Sequence, residues 1–127
     1  MIQVAHLSLK GKRSANQDRI LVPEEPNSGR FVAGVADGLG GMRDGDKAAE
    51  IAIQTLSDSA MRLLDHLDSD AGAAKQSLAE VYADAHLRVR HYADQRQLSG
   101  SVATTLVALI VSGGKYLIGN EIGRAHV

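Results

Sequence analysis

Asp37 closes an apolar run, Val35-Ala36, and is followed at once by Gly38-Leu39-Gly40-Gly41. Three glycines in four residues mark backbone that turns sharply or comes close to a ligand. A carboxylate placed there can hydrogen-bond the amides of a tight turn, or it can hold a cation against an anionic substrate. A dinucleotide-binding loop fails in detail. Arg43 stands where the third glycine belongs, and the later acid, Asp58, falls within a helical pattern instead of ending a strand. Beside a bound phosphate, Asp37 would repel its ligand unless a cation lay between them, so phosphate chemistry here implies a metal.

A second cluster, Arg13-Ser14-Ala15-Asn16-Gln17-Asp18, places a permanent cation five residues before another carboxylate, in what reads as a loop between strands. Such residues can simply form a solvated local ion pair, which contributes little. Gly11-Lys12 is no P-loop, because His6 takes the first glycine position, Arg13 the Ser/Thr position, and no helix follows. Of the five histidines, His86 and His91 lie about 140° apart around a helix and cannot share a zinc ion on one face. His6 in a strand and His66 near a helix end read as structural, so no histidine is assigned as a catalytic acid.

Periodicity shows the elements that must position these residues. Ile2 to Leu9, Ile20 to Val22 and Phe31 to Ala36 are short apolar stretches separated by Gly, Pro and Asn, as strands are. From Asp46 onward Ala49, Ile53, Leu56, Ala60, Leu63, Leu64 and Leu67 recur at helical spacing, with Asp44 or Asp46 available as a cap. After a turn around Asp70 to Gly72, a second helix carries Leu78, Val81, Tyr82, Ala85, Val89 and Tyr92 on its apolar stripe. Ala103 to Val111 and Tyr116 to Gly119 form a hairpin about Ser112-Gly113-Gly114-Lys115. The order βββ, αα, ββ predicts an α+β fold with a largely antiparallel sheet and helices on its face.

Composition narrows the classes of function. With 14 Lys+Arg against 15 Asp+Glu the net charge is −1, which leaves no electrostatic footprint for nucleic acid or an anionic membrane. The absence of cysteine excludes disulfides, thiolate zinc sites and a cysteine nucleophile, and it fits a reducing, cytoplasmic setting. No apolar stretch reaches transmembrane length.

Four motifs stand in order: Arg13-x-x-Asn16-Gln17-Asp18, then Asp37-Gly38-x-Gly40-Gly41, then Gly45-Asp46-x-Ala48, then Thr104-Thr105-Leu106. Together they resemble the N-terminal part of the metal-dependent PP2C (PPM) family of serine/threonine phosphatases. The resemblance implies a layered β-sandwich flanked by helix pairs, of which this chain supplies roughly the first half. It implies two Mn²⁺ or Mg²⁺ ions bridged by Asp37, with Gly38 giving its carbonyl, and Asp18 lying outside the immediate ligands or on an additional weak ion. Arg13 would grip the substrate phosphate, and the partner would be a phosphorylated protein. The rival reading is a non-catalytic module that binds phosphoproteins, as a pseudophosphatase or an inactive fragment.

The pattern departs from the family near its end. Ala103 replaces a common glycine, and Gly119-Asn120-Glu121-Ile122 stands where Gly-Asp-Ser-Arg is usual. We therefore expect residues 1–119 to be the N-terminal part of a phosphatase domain and residues 120–127 an atypical tail, with activity of the 127-residue chain itself in doubt.

Overall fold

The computed structural model describes residues 18–39, 44–98 and 102–124, apart from the side chains of Pro26 and of residues 121–124. The expected strand over Ile2 to Leu9 lies outside this set, as do Arg13, Asn16, Gln17, Gly40 and Gly41. Strands β1 (Asp18–Leu21) and β2 (Arg30–Asp37) are followed by helices α1 (Gly45–Asp58), α2 (Ala60–Ser69) and α3 (Ala71–Gln95), then by strands β3 (Ala103–Ser112) and β4 (Lys115–Arg124). The strands form one antiparallel sheet in the order β1-β2-β3-β4, so the described chain is α+β.

Strand alternation sorts the sheet into two faces. Val32 and Ala36 of β2 and Leu106, Ala108 and Ile110 of β3 are buried against Ala49, Ala52 and Leu56 of α1, Leu63 and Leu67 of α2, and Leu78 and Val81 of α3. Close approach of α1 depends on Gly34, where a Cβ would sit 2.5 Å from Leu56 Cδ2 and 3.2 Å from the Val107 carbonyl oxygen. The other face carries Val35 and Val107, 48% and 41% exposed, with Tyr116 and Ile118 more exposed still.

The long helix expected from Asp46 to Leu67 is two helices. Ser57-Asp58-Ser59 are poor helix formers, and the Asp58 carboxylate is drawn to Gln54 at 2.8 Å and to Arg88 of α3 at 3.2 Å. The chain bends at Ser59 while the apolar stripe continues across the bend. At the far end of α3, the Leu98 N–H donates to the Ala93 carbonyl and the Gln97 N–H to that of Asp94, with Gln97 left-handed at φ 55°. This is a Schellman cap, and Leu98 joins Ala93 in one buried apolar cluster, as commonly accompanies such caps. The β3–β4 turn has φ 56° at Gly113 and 79° at Gly114, the left-handed pair that a two-residue hairpin needs. Strand β4 continues past Gly119, and Arg124 is still in register with Ala103.

Candidate metal centre

Asp18 is the first residue of β1 and not part of a loop as the sequence suggested, and the β1–β2 register places it directly opposite Asp37. Opposed residues on antiparallel neighbours project to the same side, with Cβ atoms about 4.5–5.5 Å apart. Both side chains are partly buried, and Asp18 Oδ1 is shielded from solvent. Asp37 follows Ala36 of the helix-facing core by one residue, so this pair projects to the face away from the helices.

Asp37 is held through its backbone. Its N–H donates to Thr105 Oγ1 at 3.2 Å, and the same hydroxyl donates to the Asp37 carbonyl at 3.4 Å. The ladder resumes with a bridge between Gly38 and Thr104 and with the Leu39 N–H on the Ala103 carbonyl at 3.2 Å. Thr104 Oγ1 in turn donates to the Thr105 carbonyl at 2.9 Å. In the sequence Thr104 and Thr105 stand out only as part of a motif. Their contribution depends on β3 lying beside β2, with Thr105 68 positions along the chain from Asp37.

Two carboxylates facing each other across a strand pair repel, and a divalent cation between them turns that repulsion into attraction. Asp18, Asp37 and the Gly38 carbonyl can offer hard oxygens of the kind that suits Mg²⁺ or Mn²⁺. Among the described residues no group of three or more His, Cys, Asp or Glu side chains comes together, so these donors match the metal in kind while a complete shell needs further oxygens. His66, His86 and His91 belong to α2 and α3, on the opposite side of the sheet from the carboxylate pair. Arg13 and His6 lie outside the described residues. A groove of about 430 Å³ between α1 and α3, lined by Ile51, Leu87 and Tyr92, is on the outer helix surface and has no part in this centre. No helix among the described residues is long and apolar enough to cross a membrane.

The start of α1 is tied down separately. Asp44 precedes the helix with a left-handed backbone, φ 54° and ψ 29°, and its side chain makes no capping bond. Its carboxylate instead accepts the Tyr92 hydroxyl at 2.9 Å, and the Arg96 guanidinium lies 4.1 Å from the centre of the Tyr92 ring. Burial, reinforced by the bond to Asp44, holds the Tyr92 phenol above its ordinary value of 10.0, so it remains a donor at neutral pH.

The sequence profile of the family described as protein phosphatase 2C matches residues 8–123. The chain is similar to the serine/threonine phosphatase stp of Listeria monocytogenes serovar 1/2a, with 30% identity over 112 residues, 83% of this chain and 44% of that protein. The stp phosphatase of Listeria innocua serovar 6a is similar to the same extent. The chain therefore spans less than half the length of these curated relatives.

Proposed function

The chain belongs to the protein phosphatase 2C family, and from that membership we propose that the protein hydrolyses phosphoserine and phosphothreonine in phosphorylated proteins, aided by two Mn²⁺ or Mg²⁺ ions. The observation that supports this most is the register match of Asp18 with Asp37, followed directly by Gly38. When bound, such ions polarise phosphoryl oxygens and lower the pKa of coordinated water. Asp37 would supply negative charge to hold the cations, Gly38 a neutral carbonyl donor, and Asp18 a second negative charge on the same face. Arg13 holds two phosphate oxygens with its planar guanidinium and offsets charge that builds in the transition state. The apolar face beside the carboxylates fits a second sheet, which would complete a layered sandwich with helix pairs outside it. A cytoplasmic setting, consistent with the cysteine-free sequence, is part of the same reading.

The test is hydrolysis of a phosphothreonine peptide by the full-length protein, with Mn²⁺ and with EDTA. Activity is expected only with metal, with Asp37→Asn abolishing it. Arg13→Ala should lower kcat/KM by roughly ten- to a hundredfold, the loss of one charge-assisted contact. Near-normal turnover of Asp37→Asn at low metal would remove Asp37 from the bridging role. Peptide binding without any hydrolysis would favour the non-catalytic module.

A further inference from the structure

Tyr82 of α3 reaches the sheet across a glycine. Its hydroxyl donates to the Leu106 carbonyl of β3 at 3.2 Å, and its ring lies so close to β4 that a Cβ on Gly119 would sit 2.7 Å from the hydroxyl oxygen and 2.9 Å from Cε2. Leu106 directly follows Thr105, whose hydroxyl accepts the Asp37 N–H at 3.2 Å and donates to the Asp37 carbonyl at 3.4 Å. Both residues fall where the β2–β3 ladder is interrupted, between the pair Val35 with Val107 and the bridge of Gly38 with Thr104. On its other side β3 pairs with β4 without a break, Leu106 with Glu121 and Thr105 with Ile122. Beneath the interruption, between α1, α3 and β3, lies a cavity of about 20 Å³ bordered by Tyr82, His86, Thr104 and Leu106, about the room of one water molecule. Packing from the helix side is therefore slack at this point of β3, and the Tyr82 bond fixes the Leu106 carbonyl from that side.

We infer that Tyr82 is a positioning residue for the metal centre: by holding the Leu106 carbonyl it sets the direction of Thr105, and Thr105 in turn holds the backbone of Asp37. The inference rests on the proposed metal-dependent function. Folding does not need the hydroxyl. The Tyr82 ring packs against the main apolar cluster, and β4 keeps β3 paired, so losing the oxygen lets the Leu106 peptide tilt toward the cavity without unpairing the strand. Hard divalent cations hold their oxygen donors to a narrow geometry, so even a small displacement of Asp37 weakens their binding.

The experiment is a titration of the full-length protein with Mn²⁺, followed by water-proton relaxation, alongside thermal unfolding and amide hydrogen exchange in EDTA. Wild type should show binding that Asp37→Asn removes. Tyr82→Phe, which keeps the ring, should raise the half-saturating Mn²⁺ concentration about two- to tenfold, the range of one neutral hydrogen bond. In EDTA it should quicken exchange of the Asp37 amide relative to amides in the continuous part of the β2–β3 ladder. Added to Thr105→Val, it should weaken Mn²⁺ binding little further, because it acts through the hydroxyl already removed. Ser112→Ala is the control: it removes a bond to Asp68 at the far end of β3 and should lower the melting temperature with Mn²⁺ binding unchanged. If Tyr82→Phe behaves like this control, or its full effect persists on top of Thr105→Val, the inference is overturned while the functional reading stands. If wild type shows no Asp37-dependent Mn²⁺ binding, the functional reading fails, and the inference with it.

Discussion

Thr105 shows how little of a side chain's role its type reveals. In sequence it is half of a Thr-Thr pair in an apolar run; in the structure its hydroxyl stands in the gap of the β2–β3 ladder and holds both backbone groups of Asp37. Thr105→Val keeps the shape and β-branching but leaves the Asp37 N–H without this acceptor. Stability should fall by about 1–2 kcal/mol, and the half-saturating Mn²⁺ concentration should rise, whereas Thr105→Ser should retain most of both; unfolding and metal titrations on the two variants check this. Asp37 itself was legible because an acid before three clustered glycines is a rare combination. Its opposition to Asp18 was not, since strand register depends on which strands pair. By spacing Tyr92 belongs to the apolar stripe of its helix, and its bond to a residue 48 positions away leaves no local trace.

Within the described residues helix and strand identities followed from periodicity, and the breaks between them depended on finer effects. The α1–α2 bend at Ser59 is invisible to an apolar count because the stripe runs straight through it, and it is set by weak helix formers and the reach of Asp58 to α3. The end of α3 was similarly hidden, because Gln97 occupies the left-handed position where glycine usually sits. Gln97→Gly should therefore stabilise the chain by about 0.5–1 kcal/mol, relieving the Cβ conflict, which a denaturant midpoint shifted at constant slope would show. At the opposite edge α2 is fastened to the sheet by Asp68, which accepts from the Ser112 hydroxyl and from Arg30, while the Lys115 ammonium donates to the Leu67 carbonyl at 2.8 Å. The Ser112 bond, then Arg30, holds the Asp68 carboxyl below its ordinary 3.8 against an opposing desolvation. A depressed folded value means that this contribution is fully present above the ordinary one and is lost as pH falls through the lower folded value. Melting temperature should therefore drop below about pH 4, and Asp68→Asn should flatten that part of the profile.

For the molecule as a whole, the sheet divides labour between its faces. One is sealed by three helices, and the other combines the carboxylate pair with exposed apolar side chains: Val35 at 48%, Val107 at 41%, Ile118 at 60% and Tyr116 at 71%. A hydrophobic surface of this kind is a place for further structure to pack, and packing there would also shield the carboxylates from water and strengthen their hold on a cation. Alternation in β2 and β3 made both faces readable as apolar, but the sequence did not say which one the helices take. Expressed as residues 1–127, the chain should associate with increasing concentration and bind a hydrophobic dye. It should hydrolyse an aryl phosphate poorly with abundant Mn²⁺, because the two carboxylates and one carbonyl that the described residues offer are too few oxygens for two hard cations. Val107→Lys together with Ile118→Lys should suppress the association without lowering the melting temperature, since neither side chain belongs to the buried core, and should leave the weak hydrolysis unchanged. Sedimentation, dye fluorescence and an EDTA-controlled assay on both chains check these outcomes. Robust EDTA-sensitive turnover by residues 1–127 would show that the donors for two ions are complete within them, and association that survives both lysines would place the contact on another surface, such as the β4 side of the described sheet.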